Sequence, residues 1–157
     1  MPATSMPIVG ARIMALDDPT TKMSKSAPGA VHGVALLDPP DKIRQTIMRA
    51  TTDSQPAVDF GNLGPGVGNL LNIFQAFAEW PSEKMGRHFS GMRYGELKKQ
   101  VADMVIANLE PFQQRYRHIM SEPGYLASVL REGAARATPI ADSTVELVKQ
   151  RMGLYTD

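Results

Sequence analysis

The 157-residue chain has no cysteine, only one tryptophan and no strong excess of charge of either sign. Without cysteine there is neither a disulfide framework nor a thiolate metal site, and a reducing, cytoplasmic setting is the expectation. No run approaches the roughly 20 apolar residues of a membrane-spanning helix. The opening MPATSMPIVG also lacks the basic-then-apolar layout of a secretory signal, so no membrane partner is expected. A net charge of +1 provides no global field for a polyanion. Up to Trp80 there are 6 Lys and Arg against 7 Asp and Glu, and beyond it 11 against 9, so any polyanion site must be a local arrangement. His32, His88 and His118 have no second ligand at helical or hairpin spacing, and no protein metal site is expected.

What is present is an ordinary globular composition, 43% hydrophobic and 21% charged, enough for one domain or for one small domain with a fragment of another. The ten methionines read as core filler. GARIMAL (Gly10 to Leu16) and VHGVALL (Val31 to Leu37) read as two short strands, too few for a stable sheet by themselves. From Asp38 the pattern turns helical. Asp38 is placed as a cap with Pro39 at the first helical position, and Ile43 and Ile47 stand four apart. GPGVGN, Gly64 to Asn69, lacks the preceding strand of a nucleotide-binding turn and reads as a plain loop closing a helix start. Val67, Leu70, Leu71, Phe74, Phe77 and Ala78 then form one apolar stripe, and a short helix opens on Pro81. The longest pattern carries Leu97, Val101, Met104, Val105, Leu109, Phe112, Tyr116 and Ile119 on one face, with Pro111 expected to kink or split it at Glu110. One or two further helices follow, with Leu126, Val129, Leu130, Ala134, Ala137, Ile140, Ala141, Val145 and Val148 expected to face inward. Arg115, Arg117, Arg131, Arg136 and Arg151 suit solvated helix faces. The predicted fold is mainly α, a helical bundle preceded by two short strands.

Between the two strands lies DDPTTKMSKSAPG, Asp17 to Gly29. Lys22 and Lys25 place two ammonium groups three residues apart, with Ser24 and Ser26 interleaved. A solvated surface loop would serve for such a stretch, and so would a clamp for polyphosphate. Ammonium groups on flexible stems stabilise negative charge as it develops on a departing phosphate, and hydroxyls or backbone N–H groups add donors. Pro19, Pro28 and Gly29 bracket a segment with the layout of a lid.

KMSKS is also the signature loop of the class I aminoacyl-tRNA synthetases, and this chain resembles that family. VGARIMALDDPTTKMSKS, LLDPPDKIRQTIMRATTDS, GVGNLLNIF, YGELKKQVADMVIANLEPFQQRY and REGAARA are similar, in order, to segments of the bacterial tryptophanyl-tRNA synthetases, from about Gly10 to Leu154. The tyrosyl-tRNA synthetases resemble it less. The resemblance implies that Lys22 and Lys25 serve catalysis and that Ile13, Lys22, Met23, Ser24, Lys25 and Ser26 bind ATP, with Ile13 and Met23 on its adenine or ribose side. Where many members continue the loop with an acidic residue, this chain has Ala27. The resemblance further implies a C-terminal part of a tryptophan-tRNA ligase. Residues 1–37 would be a remnant of the Rossmann-like catalytic domain, and residues 38–157 the helical anticodon-binding domain. The implied partners are ATP with Mg2+, as substrate, and tRNA(Trp). Tryptophan would enter only through an N-terminal half without counterpart here, whether truncated away or carried by a complementing chain, and the chain alone would be inactive. The family is homodimeric, with the dimer region largely absent from these residues. A free-standing, non-catalytic tRNA-binding or regulatory module is the alternative reading.

Overall fold

Proline sets where most of the helices begin, because a residue without an N–H and with φ already near −65° fits the first turn. In a computed structural model, which describes residues 9–26 and 31–154, α1 spans Pro40–Met48, α2 Pro65–Ala78, α3 Ser82–Phe89, α4 Tyr94–Met120 and α5 Pro123–Arg151. Prolines stand at the first turn of α1, α2 and α5, and Pro81 is the residue before α3. The mainly helical expectation holds. Asp38, however, does not cap α1: Pro39 occupies the cap position, and the next residue, Pro40, has no N–H to offer. The Asp38 carboxylate instead accepts the Ala35 N–H at 2.9 Å and the Lys42 ammonium at 2.7 Å. Burial raises its pKa, but these two bonds outweigh burial and the net shift is downward.

The chain divides into two compact units, Met1–Gln113 and Gln114–Asp157. In the first, α1 to α4 enclose a core in which Ile43, Ile47, Val67, Leu70, Phe74, Phe89, Leu97 and Val101 are buried. The Phe74 ring meets Phe89 edge-on at 4.9 Å and Trp80 at 5.4 Å. Of the α2 stripe, Phe77 remains 41% exposed while Val67, Leu70, Leu71 and Phe74 are buried. The Lys98 ammonium caps the Ala50 carbonyl at 2.8 Å, and burial lowers its pKa. Pro111 does not split α4, which continues to Met120. An interior proline gives up its own hydrogen bond and crowds the carbonyl four residues back, a strain that a helix relieves by bending without having to end. Among the described residues no helix is long and apolar enough to cross a membrane.

The second unit holds the end of α4 and all of α5, a single helix with Pro139 inside it. The inward set expected on α5 is not buried: Leu130 is 65% and Ile140 71% exposed, and no α5 residue is classed as core. Two helices offer each other a single seam, too little surface to cover an apolar stripe as wide as this one.

The two predicted strands are also absent as strands. Among the described residues β pairing is limited to one isolated antiparallel bridge, Met14 with Lys22. The physical reason is that the Gly10 to Leu16 backbone finds side-chain amides and turn partners in place of a neighbouring strand. Residues 17–26 are part of a hydrogen-bonded hairpin; Ala27 to Gly29 of the expected loop lie outside the described residues.

Of GPGVGN, read from its composition as a plain loop, only Gly64 lies outside the helix; Pro65 to Asn69 form the start of α2, and the glycines have separate reasons. A Cβ on Gly66 would lie 2.1 Å from the Thr51 carbonyl oxygen, and one on Gly64 would lie 1.8 Å from Asp53 Oδ2. Asp53 in turn accepts a short hydrogen bond from the Tyr94 hydroxyl and a second from the Gln55 N–H. Its Oδ2 is buried against this turn without a hydrogen bond of full geometry. The Tyr94 bond holds the Asp53 carboxyl below its usual range, while burial and the same partner push Tyr94 up to about 12.

Gly66→Ala must move backbone and should destabilise by about 1–3 kcal/mol. Gly68→Ala, in the same helix with nothing within 4 Å of the added carbon, should stabilise by roughly 0.5–1 kcal/mol; urea midpoints of the two variants give the sign of each. The Asp53 contribution should be complete above its ordinary pKa of 3.8 and fade as pH falls through its lowered folded value. The Tyr94 contribution should be complete below 10.0 and fade as pH rises toward about 12. Tyr94→Phe should cost about 1–3 kcal/mol at neutral pH, since Asp53 is left short of a donor. In a stability–pH series it should also flatten the alkaline limb.

Candidate functional site

The segment that carries the two lysines is built from its base upward. Gly10 enters at φ +76, where a Cβ would sit 3.0 Å from Ala76, so glycine is required on both counts. From there to Met14 the chain runs alongside α2, antiparallel to it, held by two asparagines three positions apart on one helix face. The buried Asn69 side chain accepts the Met14 N–H at 2.9 Å and donates to the Met14 carbonyl at 2.8 Å. Asn72 accepts from Gly10 N–H at 3.2 Å and donates to the Arg12 carbonyl at 3.3 Å. A primary amide carries the same donor and acceptor as a peptide group, so each asparagine stands in for one residue of an adjacent strand.

The next residues are fixed by the turn after α1. The Thr51 N–H donates to the Leu16 carbonyl at 2.7 Å, and its hydroxyl donates to the Asp17 carbonyl at 2.6 Å. The chain then reverses. Asp18 accepts from the Thr20 N–H, the Thr20 hydroxyl and the Thr21 hydroxyl, an arrangement that forms the tight turn and lowers the Asp18 pKa. The returning arm pairs with the outgoing one: Ala15 N–H donates to Thr21 O at 2.8 Å, and Met23 N–H donates to Ile13 O at 3.1 Å.

All six residues expected to form the site, Ile13, Lys22, Met23, Ser24, Lys25 and Ser26, therefore lie in one hairpin. Ile13 is on the outgoing arm and the other five are on the return. Lys22, Lys25 and Ser26 are exposed, and neither lysine makes an ion pair among the described residues. Met23 is partly buried, packed on the core and on Gly33, whose added Cβ would lie 3.0 Å from the Met23 Cγ and Sδ atoms. The Ser24 hydroxyl accepts the Ser26 N–H at 3.3 Å. Both lysines are thus exposed, and Met23 between them anchors the arm to the core.

Residues that sequence reasoning left unassigned do most of the positioning. Asn69 and Asn72 interrupt an otherwise apolar stripe, and a polar residue at a core position is a signal for a buried hydrogen bond. Gln113, late in α4, donates to the Leu36 and Asp38 carbonyls at 2.8 and 3.0 Å, fixing the segment that leads into α1. Nothing in its local sequence marks that role. His32, dismissed as a metal ligand, is buried beneath the hairpin.

Residues 3–110 match the family described as tRNA synthetases class I (W and Y). The chain is 46% identical over 154 residues to the tryptophan–tRNA ligase of Wolinella succinogenes, covering 98% of this chain and 47% of that protein. It is 44% identical over 146 residues to the Helicobacter pylori enzyme of the same name, covering 93% and 44%. The crystal structure of tryptophanyl-tRNA synthetase from Mycoplasma pneumoniae superposes with a TM-score of 0.75 at 29% identity, over 95% of this chain and 45% of that one. The chain thus spans about half the length of the curated relatives it matches. With more than half of its residues matching the family and its fold shared with a solved member, the chain belongs to the class I tRNA synthetases of the tryptophan and tyrosine group.

Proposed function

We propose that this chain forms the C-terminal part of a cytoplasmic tryptophan–tRNA ligase, with residues 1–37 contributing the ATP and pyrophosphate loop and residues 38–157 the helical tRNA-binding domain. The observation that carries the reading is the hairpin: it presents Lys22 and Lys25 on its return arm, exposed and without ion pairs among the described residues. A lysine held in a salt bridge would have to break it to meet phosphate; these two would not. The proposed functional division at Leu37 falls inside the first compact unit because Thr51, Asn69 and Gln113 bond the loop segment to the helices.

In the proposed reaction a carboxylate oxygen of tryptophan attacks the α-phosphorus of ATP, bound with Mg2+ as substrate. A new P–O bond forms, the bond to the oxygen bridging to the β-phosphate breaks, and pyrophosphate departs. Charge grows on the leaving group, where Lys22 and Lys25 stabilise it more in the transition state than in the ground state. Ser24 and Ser26 add hydroxyl or backbone donors, and Ile13 and Met23 border the adenine or ribose. The bases of tRNA(Trp) would be read by stacking and edge hydrogen bonds on the helical domain.

The test is complementation with the N-terminal half of the Wolinella relative. Alone, the chain should give no tryptophan-dependent pyrophosphate exchange; the mixture should give some, because only then are substrate and loop held together. Lys22→Ala and Lys25→Ala should each lower the mixture's kcat about a hundredfold with a smaller change in ATP affinity. Exchange by the isolated chain, or an undiminished rate with either variant, would refute the proposal. Binding of tRNA(Trp) by a chain that no N-terminal half can complement would favour a free-standing tRNA-binding module.

A further inference from the structure

His32 is joined to the lysine hairpin at three points, and the three are chemically distinct. Its carbonyl accepts the Leu16 N–H at 3.0 Å. Its ring Nδ1 faces Asp17 Oδ1 at 3.1 Å, and its ring Nε2 accepts the Ser24 N–H at 3.1 Å. The residue is 8% exposed. A ring nitrogen that accepts carries no proton, so in the neutral ring the proton resides on Nδ1 and is donated to the Asp17 carboxylate. The tautomer is thus dictated from both sides. Asp17 begins the turn and Ser24 lies beyond it, so one imidazole spans the hairpin between its two arms.

We propose that His32 is the positioning residue of the KMSKS arm: its Nε2, left as the acceptor when Nδ1–H is donated to Asp17, holds the Ser24 amide and so sets the direction in which Lys25 and Ser26 leave the hairpin. Lys22 and Met23 are fixed by backbone pairing to Met14 and Ile13. From Ser24 onward that pairing has ended, and the described contacts of the arm are the His32 bond and the Ser24–Ser26 turn. A proton on Nε2 would turn the acceptor into a donor facing another donor, and the arm would lose its anchor. The charged groups facing the ring are the carboxylates of Asp17, in contact, and of Asp18, close enough for its charge to be felt. The importance of the Lys25 direction for phosphate rests on the function proposed above; the His32–Ser24 bond does not.

The experiment therefore has two arms. In 15N NMR of this chain, His32 should show an unprotonated Nε2 and a protonated Nδ1 at neutral pH. The Ser24 amide should be protected from hydrogen exchange. His32→Leu should lower that protection about tenfold, with the amides of Ala15 and Met23 unaffected, and His32→Gln, whose side-chain oxygen can accept at the same reach, should restore part of it. An Nε2–H tautomer, or Ser24 protection unchanged in His32→Leu, overturns the proposal. In the complemented enzyme, His32→Leu should reduce kcat for exchange about tenfold with little effect on ATP affinity, partly rescued by His32→Gln. Equal rates for His32→Leu and the unmodified chain would also overturn it. If the unmodified mixture shows no exchange at all, the functional reading fails while the NMR result still decides the His32 anchor.

Discussion

The pair of hydrogen bonds between the Asn69 side chain and the Met14 backbone is the constraint on which the described site depends. Segment 9–17 has no regular structure of its own, and its backbone donors and acceptors need partners wherever they leave water. A buried amide on α2 satisfies both polar groups of Met14, and Asn72 repeats the arrangement one turn on. Because α2 is fixed by the burial of Val67, Leu70 and Phe74, the position of Met14 is fixed with it. Met14 then bridges to Lys22. A lysine that has no direct contact with the core is thus located by two asparagines and a run of apolar side chains.

How much of this was legible in the sequence differs between the helices and the hairpin. Helical starts are written in proline, and the stripe through Val67, Leu70, Leu71 and Phe74 announces its own buried face. The lysine loop was legible as well, because its composition is local. The contacts that orient it were not: Asn69, Thr51, His32 and Gln113 act over separations of up to 77 residues, and local spacing carries no record of such distances. The strands were misjudged for the same reason. GARIMAL has the composition of a strand, but a strand exists only beside another, and here the adjacent amides belong to helix side chains. The α5 stripe misled in the opposite direction. Its periodicity is that of a helix with a buried face, yet periodicity records a preference for cover, while cover itself must come from another element.

The hairpin also has a division of labour along its length. Near its base the backbone is held by several bonds: Ala15 with Thr21, Met23 with Ile13, Leu16 with both His32 and Thr51. Met23 adds an apolar anchor against Gly33. Beyond Ser24 the attachments among the described residues are a ring nitrogen and a serine hydroxyl. Stability is spread unevenly in such an element. Two lysines of the same motif therefore sit in different mechanical settings, Lys22 on the paired part and Lys25 beyond it.

The two close approaches at the start of α2 differ in what could ever relieve them. The obstacle to a side chain at position 64 is the carboxylate of Asp53, which another substitution could shorten or remove, at the cost of the Tyr94 partner. The obstacle at position 66 is the carbonyl oxygen of Thr51, which every amino acid at position 51 would present in the same place. Thr51 also holds the base of the lysine hairpin through its N–H and hydroxyl, so its backbone cannot withdraw without taking Leu16 and Asp17 with it. As this chain drifts, position 64 has an exit through a paired change elsewhere. Position 66 has none, and the freedom to vary there is closed by geometry rather than by chemistry.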